Sequence, residues 1–233
     1  MDILKNVGVA ISTTERRKSH WDKLKANHKE FTLPKIPNYN FILEIDEDLK
    51  GVAHSKNKSL RKLYDAGCKY FFLFDDDVWL KRKGFFHWVY RVHLASGIHH
   101  FCYMNLNAYH NVVESFKIGN HTINRHEGLS GCFLFLTRDV LDKVGGYDLD
   151  FEGYGYNHIE YTSRINVAYG RPHNHYLSIN DMHLFLHSED FDGTMKGIRR
   201  VGQVPKKVKQ EGIKKNNPLY KEKLNNLNRY CEF

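Results

Sequence analysis

An apolar run in the first third of the chain leads directly into three acids. Residues 70–74 read Tyr-Phe-Phe-Leu-Phe, and Asp75, Asp76 and Asp77 follow at once. An unbroken apolar run of this length is typical of a strand buried on both faces, as in a parallel sheet. The acids then lie at the carboxyl end of that strand, where open α/β sheets bind their ligands.

The pattern before this strand alternates between strand and helix. Residues 7–11 form a short β-branched run, residues 39–45 form a second run that closes on Asp46, and helices are predicted for residues 18–26 and within 51–67. The order β-α-β-α-β is typical of a doubly wound sheet. We therefore predict an α/β fold with a mixed, mostly parallel sheet flanked by helices.

The later pattern is more varied. We predict a helix over 84–96 and a strand over 98–104, then loops or a hairpin near the site over the polar residues 105–128. The remaining predictions are strands over 131–136, 176–179 and 183–186, a helix over 138–144, and a Gly-Tyr-Gly-Tyr turn followed by a helix within 151–165. The expected organisation is one main α/β domain over 1–190 and a basic, partly helical appendage over 191–233.

Composition narrows the class of protein. The 233 residues are 41% hydrophobic and 27% charged, as in soluble globular proteins. No apolar stretch approaches the ~20 residues of a membrane span. The first residues lack a signal-peptide pattern, and the four cysteines are scattered without CxxC spacing, so we expect reduced thiols and a cytoplasmic location.

The net charge of +8 favours an anionic partner such as a nucleotide, a nucleic acid or an anionic membrane. No nucleic-acid-binding signature accompanies the charge, so we expect no nucleic-acid partner. Much of the excess lies in the lysine-rich stretch 196–215. These lysines are either simply solvated, or part of a flexible lid, or a peripheral contact with an anionic membrane.

The spacing of the three acids predicts a metal site. In extended backbone Asp75 and Asp77 point to one side and Asp76 to the other. Two carboxylates on one side of a strand end can share a hard divalent cation such as Mn²⁺ or Mg²⁺. The competing interpretation is a solvated acidic turn after a core strand.

Four sequence blocks resemble the GT-A-fold glycosyltransferases, in particular the large family 2 group and the polypeptide N-acetylgalactosaminyltransferases. They occur in the family's order and together span residues 7 to about 187, most of the chain. The blocks are Ile-Ser-Thr-Thr-Glu-Arg at 11–16, Ala-His-Ser-Lys-Asn-Lys-Ser at 53–59, Phe-Asp-Asp-Asp at 74–77, and the acceptor-side stretch from Gly131 to Arg164. The third of them resembles the D-x-D motif of the family.

The resemblance implies a uridine-diphosphate sugar donor, a Mn²⁺ or Mg²⁺ cofactor, and a glycan or lipid-linked acceptor. It implies that Thr13 and Arg16 line the nucleotide and that Asp46 lies by the base. It also implies that Asn57 and its lysine neighbours face the donor, together with Asp75 and Asp76. Asp77 is the expected metal ligand, with Asp75 beside it and His187 completing the shell; His183 is the second choice.

The chain departs from the family in the acceptor block. Where inverting members carry Glu-Asp, this sequence has Asn157-His158. An inverting reaction needs a general base, and either His158 or Glu160 could accept the proton. On a helix these two side chains would lie ~200° apart, whereas in extended backbone they would face the same way. A retaining enzyme would need no base here, so the stereochemistry stays open.

Three rival functions remain at this point. A sugar-phosphate nucleotidyltransferase usually has a glycine-rich phosphate loop after the first strand, and the loop Ser-Thr-Thr-Glu-Arg-Arg at 12–17 has no glycine. A nuclease or nucleic-acid-binding protein would use the basic tail with the carboxylates. A non-catalytic nucleotide-sugar or carbohydrate-binding relative would keep the site without the base.

Overall fold

A five-stranded mixed sheet forms the centre of the protein, with the strand order β2-β1-β3-β8-β5. The computed structural model describes residues 3–31, 40–104, 112–192 and 204–233. Strands β1 and β2 pair in parallel, as do β1 and β3, and only β8 runs against its neighbours β3 and β5. The predicted mixed, mostly parallel α/β sheet is therefore confirmed. The strands of this sheet are β1 (Val7–Thr13), β2 (Phe41–Ile45), β3 (Tyr70–Asp75), β5 (His100–Cys102) and β8 (Phe133–Thr137).

Helices cover both faces of the sheet, and the alternation of strand residues explains why. On β3, Phe72 and Phe74 belong to the apolar cluster on one face, whereas Phe71 and Leu73 belong to the cluster on the other. Each of these four side chains is at most 1% exposed, as expected for a strand buried on both faces. The helices are α1 (Lys18–Phe31), α2 (Val52–Asp65), α3 (Phe85–Ser96), α4 (Arg138–Val144), α5 (Asn157–Ala168), α6 (Glu189–Asp192) and α7 (Lys206–Lys223).

Two smaller sheets complete the described part of the chain. Strand β4 (Val78–Leu80) follows the three acids directly and pairs antiparallel with β10 (Leu186–Ser188). Strands β6 (Val112–Ile118), β7 (His121–His126) and β9 (Tyr176–Ile179) form an antiparallel sheet. The predicted hairpin within 105–128 is thus present over β6 and β7, while residues 105–111 lie outside the described part.

The C-terminal residues 204–233 pack onto the body of the protein. The side-chain amide of Asn216 on α7 donates hydrogen bonds to the carbonyl oxygens of Glu152, Tyr154 and Gly155. Arg229 donates to the carboxylates of Asp148 and Glu160. The helix expected in the appendage is therefore present, and it holds the Gly-Tyr-Gly-Tyr turn from outside. The domain boundary at residue 190 stays a prediction.

None of the helices in the described ranges combines the length and apolar character that crossing a membrane requires.

Candidate active site

The three acids lie where β3 ends beside β1, and two cavities meet there. In the register of the parallel pair, Asp75 is the partner of Ser12. Asp75, Asp77 and Asp190 line both cavities, as do Val52 and Tyr154. The carboxylates therefore form the junction between two neighbouring spaces at the carboxyl edge of the parallel strands, where such sheets bind ligands.

The smaller cavity, of about 160 Å³, lies on the side of β1 and β2. Polar and acidic side chains from the ends of three parallel strands line it, together with two residues near the start of α7. Its remaining lining residues are Ser12, Thr13, Thr14, Arg17, Asp46, Ser55, Asp76, Val204 and Lys209.

The larger cavity, of about 360 Å³, lies on the side of β8 and α5. The segment before β8 forms one wall, and the turn that leads into α5 forms the other. Its remaining lining residues are Leu129, Ser130, Gly131, Cys132, Gly153, Gly155, Tyr156, Asn157, His158, Ile159 and Ile213.

Asp76 points towards β1, away from the other two acids of the motif. The hydroxyl of Thr13 donates to its Oδ2 at 2.5 Å, and the Arg17 guanidinium lies 3.3 Å from its Oδ1. Burial raises the pKa of Asp76 to about 6, although Arg17 and Thr13 oppose the shift. Arg16, which we expected at the nucleotide, is exposed and lines neither cavity, whereas the neighbouring Arg17 supplies the buried charge at this one.

Asp75 is held by a buried lysine. The Nζ atom of Lys56 lies 2.8 Å from Asp75 Oδ1 and donates to the carbonyl oxygen of Gly131 at 3.3 Å. Lys56 is fully buried, so the ion pair is shielded from water and fixes the carboxylate firmly. This lysine belongs to the block in which we expected the residues that face the donor.

Asp77 is the most deeply placed of the three acids. The Ser188 hydroxyl donates to its Oδ2 at 2.8 Å, and the backbone N–H of Asp190 donates to the same oxygen at 3.1 Å. Burial, reinforced by the negative charges of Asp75 and Asp190, raises the pKa of Asp77 to about 7. The junction is therefore a place where additional positive charge is favoured.

His187 is not where we expected it. In β10, Ser188 directs its hydroxyl towards Asp77, and successive side chains of a strand point to opposite faces. His187 accordingly faces away from Asp77. Its Nδ1 lies 3.9 Å from the carboxylate of Asp192. The residues of this segment that the fold brings to Asp77 are Ser188 and Asp190. His183 is absent from both cavities, and its Nδ1 lies 3.3 Å from the carbonyl oxygen of Asn180.

The carboxylate ligands at this junction fit a cation that keeps some of its water. Within the described ranges, no three side chains of His, Cys, Asp or Glu come close enough together to hold a metal ion by themselves. Mg²⁺ usually uses one or two carboxylates and fills the rest of its shell with water and substrate phosphates. Asp75 and Asp77 satisfy that lesser requirement, and the raised pKa of Asp77 marks negative charge that the neighbouring side chains leave uncompensated.

Asp46 lines the smaller cavity and also shapes its rim. Its carboxylate accepts the backbone N–H groups of Lys50 at 2.9 Å and Gly51 at 2.7 Å. Its own N–H donates to the carbonyl oxygen of Thr13, which ties the ends of β1 and β2 together. Asp46 and Thr13 thus both lie at the cavity where we expected them, while their assignment to a nucleotide stays a prediction.

Asn57 does not face either cavity at the acids. Its amide nitrogen donates to the Tyr147 carbonyl oxygen at 2.9 Å, and its amide oxygen accepts the Tyr147 N–H at 2.8 Å. This reciprocal pair joins α2 to the segment after α4. Asn57 is therefore a structural link, contrary to the expectation that it faces a donor.

His158 lies in the wall of the larger cavity, in the first turn of α5. Its ring packs so closely on Gly131 that a Cβ added there would lie 1.9 Å from the ring, and its Nδ1 is 3.3 Å from the Tyr147 hydroxyl. Burial, together with the charge of Lys56, lowers the pKa of His158 well below its ordinary value. The imidazole is therefore neutral at neutral pH, as a proton acceptor must be.

Glu160 faces the opposite way and does not reach the cavity. It is fully buried, and its Oε1 accepts hydrogen bonds from Arg164 at 2.7 Å and from Arg229 at 2.6 Å. Both His158 and Glu160 belong to the helix, so they diverge as helical geometry requires. This arrangement is inconsistent with Glu160 as a general base and gives it a structural role.

The site contains residues that the sequence alone did not single out. Arg17, Ser188 and Asp190 contact or line the acids, and Lys209 pairs with Asp190 at 3.2 Å. The contact between Arg17 and Asp76 joins residues far apart in the chain, so no local pattern signals it. Asp190 does have a local signal in the sequence, because the acids Glu189 and Asp190 follow directly on β10.

Comparisons with known proteins add a weak likeness. No protein-family model matches the chain, and no curated protein matches it. One solved structure, A197 from STIV, is 14% identical with a TM-score of 0.38, covering 59% of this chain and 68% of that one. Another is a glycosyltransferase involved in the glycosylation of the major capsid of PBCV-1. It is 16% identical with a TM-score of 0.29, and the match covers 58% of this chain and 62% of that one. The chain thus spans less than two thirds of that glycosyltransferase, and the case for a function comes from the geometry of the site.

Proposed function

We propose that the protein is a metal-dependent glycosyltransferase that moves a sugar from a nucleotide-diphosphate donor, with uridine as the expected base, to a hydroxyl acceptor. One observation carries the proposal: two cavities of different character meet at Asp75, Asp77 and Asp190. A transferase needs this arrangement, because donor and acceptor must approach one reacting centre from two sides.

The smaller cavity suits the donor. Ser12, Thr13 and Thr14 offer hydroxyl and backbone groups at the end of β1, and Asp46 can accept hydrogen bonds from a base or ribose. Arg17, paired with Asp76, and Lys209, paired with Asp190, bring N–H donors to the same space, and a diphosphate could accept from them once a divalent cation offsets the acids.

Asp75 and Asp77 are the residues that would hold Mn²⁺ or Mg²⁺. When bound, such an ion acts as a Lewis acid that stabilises the charge growing on the departing diphosphate. Lys56 orients Asp75 through their ion pair, and Ser188 fixes one oxygen of Asp77.

The larger cavity suits the acceptor. His158 lies in its wall as a neutral imidazole and is the candidate to take the proton of the acceptor hydroxyl. Tyr154 lines both cavities and is 39% exposed, so its ring is available to pack on a sugar face. Two further aromatic residues near the acids have other contacts: Trp79 is buried and donates to Glu189, and Tyr156 stacks on Tyr220.

The test is hydrolysis of a panel of nucleotide-diphosphate sugars, measured with and without Mn²⁺. The account expects release of nucleoside diphosphate from at least one donor, dependent on the metal. Donor binding without any turnover would favour a non-catalytic binding protein instead. Formation of nucleotide sugar from nucleoside triphosphate and sugar phosphate, with release of pyrophosphate, would favour a nucleotidyltransferase.

A further inference from the structure

A third cavity adjoins the larger one on the side away from the acids. This outer groove, of about 590 Å³, has three walls: the segment from Leu49 to His54, the turn at Gly153 and Tyr154, and the face of α7 from Val208 to Lys215. Gly153 and Tyr154 line both the outer groove and the larger cavity. The groove therefore adjoins the space assigned to the acceptor at the turn formed by Gly153 and Tyr154.

Apolar side chains are exposed along the outer groove. Leu49 is 56% exposed, Val208 is 48% exposed and Tyr154 is 39% exposed. Leu49 has a φ of +53°, a conformation that a leucine rarely adopts, and the flanking turn is held by the two hydrogen bonds that Asp46 accepts. A strained residue persists when its surroundings over-determine it, and here they present an apolar side chain to solvent.

The charges along the outer groove are balanced. Lys215 pairs with Glu152 at 2.7 Å, Lys50 pairs with Asp48 at 3.2 Å, and Glu211 lies 4.0 Å from Lys207. An anionic ligand would need uncompensated cations, which these pairs do not offer. Apolar surface with a few paired polar groups suits a neutral ligand that presents both C–H faces and hydroxyls.

We infer that the outer groove binds the distal residues of an uncharged oligosaccharide whose acceptor end reaches the larger cavity. The inference rests on the proposed function for the reacting end, but the binding itself requires neither donor nor metal. The chain would run from the acids past Tyr154 and then between Leu49 and Val208. An acceptor of several sugar units is thus favoured over a single sugar or a lipid phosphate.

The test measures binding to the full chain, without donor or metal, by titration calorimetry. The probes are chitotetraose and maltotetraose, each with its monosaccharide, and vesicles that contain anionic phospholipid. We expect at least one tetrasaccharide to bind about tenfold more tightly than its monosaccharide, and Leu49→Asp or Val208→Asp to remove that gain, since a tenfold change corresponds to only about 1.4 kcal/mol. The matched control is Leu94→Asp, which changes a leucine that is 60% exposed on α3.

The inference is overturned if neither tetrasaccharide binds more tightly than its monosaccharide, if Leu94→Asp weakens binding as much as Leu49→Asp, or if vesicles bind in a Leu49-dependent way. Donor hydrolysis is measured in parallel and should be unchanged in Leu49→Asp. Tetrasaccharide binding without donor hydrolysis would sink the proposed function and leave the groove standing. Donor hydrolysis without tetrasaccharide binding would leave the proposed function standing and overturn the inference about the groove.

Discussion

Asp77 is the residue on which the chemistry of the site depends most. It is 5% exposed, lies near two other carboxylates, and has a pKa raised to about 7 by burial and by those charges. A fold that only needed stability would place a neutral or apolar residue there, because an uncompensated buried charge is costly. The arrangement makes sense when a cation joins the site during function.

Ser188 and His187 give opposite predictions although they are neighbours. Ser188→Ala removes the hydroxyl that holds Asp77, so we expect a higher Mn²⁺ concentration for half-maximal donor turnover and a loss of about 1 kcal/mol in the free energy of unfolding. His187→Ala should leave the metal dependence within about twofold, since its side chain faces Asp192. Titration of Mn²⁺ against donor turnover for both variants checks this. A large shift for His187→Ala alone would restore His187 as the ligand.

His158 is the candidate base, and its substitution tests the acceptor side. We expect His158→Ala to lower transfer at least ~100-fold, the lower end of a general-base contribution, with donor affinity unchanged. Because burial lowers the pKa of His158, the wild-type rate at saturating Mn²⁺, where the metal holds Asp77 ionised, should stay level from neutral pH down past ~6.5 before it falls. Rates of transfer across pH, measured for both proteins, decide the matter. Full activity in His158→Ala would make a retaining mechanism the better interpretation.

At the scale of elements, the two faces of α5 have different roles, since one faces the larger cavity and the other forms buried ion pairs. His158 faces the larger cavity, whereas Glu160 joins α5 to Arg229 near the C-terminal end of the described chain. Arg164 on the same helix also donates to the carbonyl oxygens of Val144 and Gly146. The ion pair therefore fixes the angle at which α5 presents its first turn to the cavity.

Glu160→Gln should act on stability and not on proton transfer. The substitution leaves the buried guanidinium of Arg164 without a carboxylate partner, at a cost of about 3 kcal/mol or more, whereas Arg229 keeps its pair with Asp148. The expected result is a clear fall in Tm, with the pH dependence of the remaining activity unchanged. Glu211→Gln, which changes an exposed glutamate on α7, is the control and should leave Tm nearly constant. An unchanged Tm with abolished transfer would return Glu160 to the role of base.

The packing of α1 on the sheet predicts an acid-sensitive stability. His28 is fully buried against Phe74, with ring centroids 5.0 Å apart, and burial lowers its pKa to about 4. The unfolded chain binds this proton near pH ~6.5, so the contribution of His28 to the free energy of unfolding is constant above that value and falls between about 6.5 and 4. The loss from this one residue is on the order of 3 kcal/mol.

His28→Phe should flatten that fall, as measured by urea unfolding at pH 7.5 and pH 4.5. His100, whose pKa burial lowers to about 4, and Asp76 and Asp77, whose pKa values burial raises to about 6 and about 7, are common to both proteins and act in opposite senses, so the difference between variant and wild type reports His28. An equally steep loss of stability in wild type and variant would show that His28 does not titrate as its burial implies.

At the scale of the whole molecule, what the sequence could predict depends on how local the signal is. The central strand, the alternation before it and α4 follow from periodicity and glycine stops, and the structure confirms them. The antiparallel direction of β8 and the packing of α7 on the Gly-Tyr-Gly-Tyr turn arise from contacts between distant segments. The same limit explains why Arg17 and Asp190 were missed, and why Asn57 and Glu160 were assigned to the site although tertiary contacts turn them away.

The central claim is that the two cavities join at a metal-dependent transfer site. Its most direct test is donor turnover as a function of Mn²⁺ for wild type, Asp77→Asn and Asp22→Asn, which changes an exposed acid on α1. We predict metal-dependent turnover in wild type and Asp22→Asn, and none in Asp77→Asn, whose Tm is maintained or raised because a buried charge is gone. Near-normal Mn²⁺-dependent turnover in a folded Asp77→Asn variant would contradict the account.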